Sequence, residues 1–121
     1  LLYRLGAVDL DSAGVQLEDS EKLAVKLEEA GVDIIDVSGG LCGSRPAQLQ
    51  GKQGFFVPQA QRIKKVVSVP IIGVGGIREP EYADSLVREG KVDLVAVGRA
   101  LLEDSEWAVK TVRKLEAAHS E

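Results

Sequence analysis

Apolar residues along the chain fall into two alternating patterns. Short, nearly continuous apolar runs cover Leu1 to Val8, Val32 to Val37, Val69 to Val74 and Val92 to Val97, and such runs read as strands buried on both faces. Between them the apolar positions recur at helical spacing. Glu18 to Ala30 carries Leu23, Leu27 and Ala30 on one stripe, with acidic Glu18 and Asp19 at its start and Gly31 as its stop. Pro58 opens a second helix that runs to about Val67, with Ala60, Ile63 and Val67 facing inward. Pro80 opens a third, with Ala83, Leu86 and Val87 inward and Gly90 ending it. A last helical region starts near Arg99, restarts at Ser105, and is expected to bury Ala108, Val112 and Leu115. Ser38 to Gly54 has neither pattern and contains five glycines, so it reads as a long loop.

Four strands alternating with four helices predict an α/β fold with parallel pairing through right-handed crossovers. The expected architecture is a single (βα)4 domain over residues 1–121, half of a TIM (βα)8 barrel. A faint internal repeat supports it: Glu29-Ala30-Gly31-Val32-Asp33-Ile34-Ile35 is similar to Glu89-Gly90-Lys91-Val92-Asp93-Leu94-Val95, so each half of the chain is one βαβα unit. Asp33 and Asp93 stand at the N-terminal ends of their strands. That end of a parallel barrel serves stability, so turn and strand-start chemistry is expected of both.

Function in such folds gathers at the C-terminal strand ends. Gly73-Val74-Gly75-Gly76-Ile77 follows the third strand, where residues without side chains let backbone N–H groups approach an anion. Gly98-Arg99 follows the fourth and opens a short helix, adding free N–H groups and a planar cation suited to phosphate. Glycines often serve turns alone, but two such segments on adjacent parallel strands favour a phosphate site. Arg4 lies within the apolar first strand and has two readings. It is either half of an ion pair inside the barrel, with Asp36 as partner, or a cation held against an electron-rich ligand. Cys42 reads as a plain loop thiol, and His119 as a solvated residue near the chain end. Trp107 is expected to cover the helical shell, and Lys64-Lys65 to form a solvated helix face. No cluster has metal-ligand spacing, and no Gly-x-Ser-x-Gly elbow occurs.

Composition narrows the classes. A net charge of −4 argues against a nucleic-acid partner, and no apolar run is long enough to span a membrane. A single cysteine allows no internal disulfide, and a cytoplasmic location is expected. The sequence begins at Leu1 and contains no methionine, from which a processed chain or a piece of a longer one is expected.

The residues resemble the old yellow enzyme or NADH:flavin oxidoreductase family across nearly the whole chain. The resemblance is carried by Tyr3-Arg4-Leu5, by the stretch from Leu27 to Ser38, and by Gly54-Phe55-Phe56-Val57-Pro58-Gln59-Ala60. It continues through Ile72 to Ile77 and Asp93 to Leu102. It implies barrel strands five to eight, the C-terminal half. It also implies that Arg4 faces the flavin ring near N1, that Gly75, Gly76, Gly98 and Arg99 hold the FMN phosphate, and that reduced FMN passes hydride from NAD(P)H to activated alkenes. The family's substrate-binding pair and proton-donating tyrosine belong to the N-terminal half, so no catalytic residue is assigned here and the chain is not expected to turn over alone. Asp104-Ser105 stands where the family usually has Asp-Pro, and Gly39 to Gln53 has no firm match.

A half barrel exposes two strand edges and an apolar face. Either two copies pair into an eight-stranded barrel, or a separate N-terminal half completes it. The alternatives to the oxidoreductase reading are a non-catalytic half-barrel that binds a phosphate ligand and self-assembles, and another phosphate-binding barrel enzyme.

Overall fold

A computed structural model describes residues 1–49 and 51–120; Gln50 in the long loop and Glu121 at the end of the expected domain lie outside the described residues. Four strands, β1 (Leu2–Gly6), β2 (Ile34–Ser38), β3 (Ile71–Gly73) and β4 (Leu94–Val95), form one parallel sheet in the order β1-β2-β3-β4. They alternate with α1 (Leu17–Glu29), α2 (Val57–Lys64) and α3 (Pro80–Arg88), and the chain ends in α4 (Arg99–Glu103) and α5 (Trp107–His119). The long loop contains one 3-10 turn, Ala47–Leu49. Sequential order in an all-parallel sheet is what successive βα units coiling in one direction produce.

The strands are shorter than the apolar runs that announce them, and β4 shrinks most. Its hydrogen bonding nevertheless extends past its ends: Asp93 N–H donates to Ile71 O and Ala96 N–H to Gly73 O, both at 2.9 Å. The expected roles of the strand-start aspartates also hold for Asp93. One carboxylate oxygen accepts the Lys64 ammonium and the other the Ile71 N–H, at 2.7 and 2.8 Å, which ties β4 to α2 and to the start of β3. Lys64 is therefore a paired residue, not a purely solvated one. Asp33 N–H donates to the Leu1 carbonyl at 2.9 Å, which joins the start of β2 to β1.

Alternate strand residues divide the sheet into two faces. Leu5, Ile35, Val37 and Ile71 point to the helices and form a core with Ala24 of α1, Ala60 and Ile63 of α2, and Ala83 and Leu86 of α3. The other face carries the registered row Arg4, Asp36, Ile72, Leu94, with Leu2 and Ile34 beside it. Leu2 and Leu94 at its margins are half exposed.

Three helix stripes differ from expectation. In α1 the buried residues are Ser20 and Ala24, while Leu23 and Ala30 are exposed. In α3, Val87 faces out. In α5 the inward face is Trp107, Thr111 and Leu115, so Ala108 and Val112 are exposed. For α1 and α5, the outermost long helices, the physical reason is shared. A helix crossing a sheet closely buries small residues at the contact, and each outer helix here has fewer neighbours than a closed ring of eight would give it.

Candidate functional site

The C-terminal ends of β3 and β4 open into one cleft of about 390 Å³. Arg4, Gly75, Gly76, Gly98 and Arg99, the five residues singled out in the sequence, all line it, together with Arg78, Glu103 and Ser44. Val74, Ile77 and Val97 supply an apolar wall. The cleft thus combines backbone, three guanidinium groups and one carboxylate, a balance that favours an anion.

The two glycine segments do different work. Gly75 and Gly76 have φ of +120° and +63°, the left-handed region that side chains disfavour. A Cβ on Gly75 would stand 2.9 Å from the Phe55 ring, and one on Gly76 3.0 Å from it. Gly75 is therefore required by the fold itself, and a side chain at 76 would be strained. The long loop is moored on them: Gly54 N–H and Phe55 N–H donate to the Gly75 carbonyl, and Gln53 Oε1 accepts Arg78 N–H and Glu79 N–H at 2.8 and 2.9 Å. Gln53 thereby satisfies two N–H groups of the turn that leads into α3.

Gly98 is the opposite case. Its φ of −113° is open to any residue, and a Cβ there would meet nothing within 4 Å. Among the described residues no contact requires a glycine at 98. The helix it precedes has only five residues, Arg99–Glu103, so its dipole is small. The anion-binding capacity on this side comes from local N–H groups and the exposed Arg99 side chain.

Arg4 forms the ion pair of its first reading and keeps an exposed guanidinium at the cleft. Its Nε donates to Asp36 Oδ2 at 3.0 Å, across the register pair that joins β1 to β2. Its side chain is still 59% exposed and lines the cleft, whereas that of Asp36 is 12% exposed.

The neighbouring rim, at the ends of β1 and β2, is knotted by Asp9. Its carboxylate accepts Val15 N–H and Leu41 N–H, each at 2.7 Å. These two bonds, the Val15 one foremost, hold its pKa below the ordinary carboxylate value. Cys42 Sγ donates to the Val8 carbonyl at 3.2 Å in the same knot.

The profile of the NADH:flavin oxidoreductase / NADH oxidase family matches residues 1–118. The chain belongs to this family. It is similar to an NADH oxidase from Thermoanaerobacter brockii, with 45% identity over 89% of this chain and 17% of the relative. It is also similar to an NADPH dehydrogenase from Geobacillus sp. (strain WCH70), with 32% identity over 95% of this chain and 33% of the relative. The chain therefore spans a third or less of these relatives. In three dimensions it is similar to wild-type GGGPS from Thermoplasma volcanium, with a TM-score of 0.53 and 18% identity over 88% of this chain and 43% of that one. That likeness concerns the fold, a (βα)4 half of a TIM barrel.

Sequence reading missed Arg78, which directly follows Gly75-Gly76-Ile77 and reaches the same cleft. Its signal was its distance of two residues from the glycine pair. The remaining candidates stand apart: among the described residues no group of acidic, histidine or cysteine side chains could hold a metal. His119 lies at the end of α5, exposed as expected, with Asp84 at 3.6 Å. Trp107 Nε1 donates to the Arg78 carbonyl at 2.8 Å, fastening α5 to the loop that carries Arg78. No helix among the described residues is long and apolar enough to cross a membrane.

Proposed function

We propose that this chain is the FMN-binding half of an NAD(P)H-dependent oxidoreductase of the ene-reductase type, and that it holds the cofactor through the cleft at the ends of β3 and β4. The observation that carries the reading is Gly98: a glycine that no contact among the described residues requires, standing in open space beside Arg99. A ligand that must approach the backbone closely explains it. The donor set fits FMN. Backbone N–H groups of Gly75, Gly76 and Gly98 with the Arg99 guanidinium suit a phosphate dianion, and Arg4 suits an electron-rich ring edge. Bound FMN would supply hydride uptake from NAD(P)H and hydride delivery to an activated alkene.

The residues of this chain bind and tune in that scheme. Arg99, with the glycine backbone, anchors the phosphate. Val74, Ile77 and Val97 keep water from one side of the ligand. Arg4 places a cation where the reduced ring gains negative charge, which favours the reduced state. The described residues lining the cleft include neither tyrosine nor histidine to donate a proton. On the family resemblance, substrate binding and proton transfer are assigned to the other half barrel, and this chain alone is expected not to carry out ene-reduction.

The test is a comparison of FMN with riboflavin, which differ by the phosphate. FMN quenching on addition of the chain, with weaker binding of riboflavin, is expected. Equal affinity for both would remove the phosphate assignment. A second reading, a half-barrel module that self-assembles, is supported by the half-exposed Leu2 and Leu94 on the open face and by β1 and β4, each paired on one side. A stable monomer in light scattering would count against it.

A further inference from the structure

The ion pair beside the cleft carries an inference that rests on the flavin reading above and deepens it. Asp36 sits in the middle of the open face of the sheet, in register with Arg4 on one side and Ile72 on the other. It is only 8% exposed. One of its oxygens accepts the Arg4 Nε–H at 3.0 Å, and the other, Oδ1, is buried with no hydrogen-bond partner among the described residues.

For stability this is an expensive arrangement. A buried carboxylate with an orphaned oxygen loses hydration that a single hydrogen bond replaces only in part. An apolar residue would be cheaper, and the same face already uses Ile34 and Ile72 at neighbouring positions. Only Asp36 of the pair is buried, so the screened attraction of the exposed Arg4 side chain offsets little of the carboxylate's lost hydration. Stability therefore does not account for Asp36.

Its geometry toward Arg4 does. A guanidinium has donors on Nε and on two terminal nitrogens, fixed in one plane. Asp36 engages Nε from behind, and the side chain of Arg4 remains more than half exposed and lines the cleft. Asp36 itself does not line the cleft. Holding a long, flexible side chain by Nε restricts its rotamers before any ligand arrives, so less entropy is lost on binding. We propose that Asp36 is a positioning residue: it fixes the plane of the Arg4 guanidinium so that the terminal nitrogens face the nitrogen and carbonyl edge of the flavin ring.

The experiment titrates the full chain and its Asp36→Val and Asp36→Asn variants with FMN and with riboflavin, read by flavin fluorescence. The Nε–Hε resonance of Arg4 is followed by NMR in the same samples, and thermal unfolding verifies that each variant folds. Asp36→Val is expected to fold with undiminished stability, to lose the shifted, exchange-protected Nε–Hε signal, and to bind both flavins about tenfold more weakly, the loss of roughly one charge-assisted hydrogen bond's worth of ordering. The loss should be the same factor for FMN and riboflavin, because the defect is at the ring and not at the phosphate. Asp36→Asn keeps an acceptor for Nε and is expected to recover most of the affinity and the signal. If the unaltered chain binds both flavins and Asp36→Val binds them equally well, the positioning role is wrong while the flavin reading stands. If the unaltered chain binds neither flavin, the reading of the cleft fails and takes this inference with it. Should Asp36→Val not fold, Asp36→Asn and the resonance of Arg4 in the unaltered chain decide: a solvent-exchanging, unshifted Nε–Hε signal overturns the proposal.

Discussion

The carbonyl of Gly75 accepts the backbone N–H of Gly54 at 2.5 Å and that of Phe55 at 3.3 Å. This joins the end of the long loop after β2 to the turn after β3. The loop needs the mooring, because among its described residues only one short 3-10 turn is regular. Gly75 pays for it with a backbone at φ +120° and with Phe55 closely packed where a Cβ would stand. Gly75→Ala is expected to destabilise the chain by about 1–3 kcal/mol, the usual range for forcing a side chain into a disfavoured backbone region. Urea unfolding would measure it. A loss below about 0.5 kcal/mol would mean that the turn relaxes freely.

Gly98→Ala should behave in the reverse manner. Its backbone is ordinary and its Cβ would enter open space, so stability should change by less than about 0.5 kcal/mol. A methyl group would, however, stand where the ligand phosphate is proposed to approach. FMN binding is expected to weaken while the unfolding curve stays in place. An unchanged FMN titration would show that the space beside Gly98 is not used.

Arg99→Gln is expected to lower FMN affinity about tenfold or more, the scale of one charge-assisted hydrogen bond to phosphate, and to leave riboflavin binding unaltered. Arg78→Gln tests whether the cation that follows the glycine pair shares that task. If it does, the difference between FMN and riboflavin narrows again and binding becomes less sensitive to salt. Isothermal titration at two ionic strengths reads both effects, and an Arg99→Gln variant that loses FMN and riboflavin alike would move Arg99 from the phosphate to the ring.

These positions show how far the sequence carries. Each strand was legible as an apolar run, although only the helix-facing side is fully covered and Leu2 and Leu94 on the other face are half exposed. The phosphate segments were legible because glycine and arginine at strand ends are chemically specific. The buried faces of α1, α3 and α5 were less so. Helical spacing marks a stripe, but Leu23, Val87 and Val112 lie on its outer margin, and Ser20, Ala24 and Thr111 are selected by closeness to the neighbouring element, which spacing alone does not encode. The Arg4–Asp36 pair could be named as a possibility. Its orphaned oxygen and its placement beside the cleft depend on a register between residues 32 positions apart. Gln53 and Asp9 escaped notice for a related reason: each acts through backbone N–H groups of distant loops, and backbone donors leave no mark in a sequence.

Acid should unfold the chain through three carboxylates that fasten its loops. Asp9 is held below the ordinary value first by the Val15 N–H and then by that of Leu41. Glu28 is held low by the Ser68 N–H, then the Ser68 hydroxyl and the Val69 N–H, and Asp93 chiefly by the Lys64 ammonium. A carboxylate whose pKa is depressed on folding binds fewer protons folded than unfolded. Its contribution is fully present above the ordinary carboxylate value, about pH 4, and is lost as pH falls through the lower folded value. The thermal midpoint is therefore expected to be nearly flat from about pH 7 to 5 and to fall steeply below about pH 4. Asp9→Asn removes one of the titrating groups. An amide can accept one of the two N–H bonds, but its NH2 then faces the other donor, so the variant should melt lower than the parent at pH 7. Its acid limb should also be shallower, so that the two melting curves converge as the pH drops toward 3. Circular dichroism melts across that range measure both. Parallel limbs for the parent and Asp9→Asn would show that Asp9 keeps its ordinary pKa in the folded chain, and that the knot between the β1 and β2 loops holds without its charge.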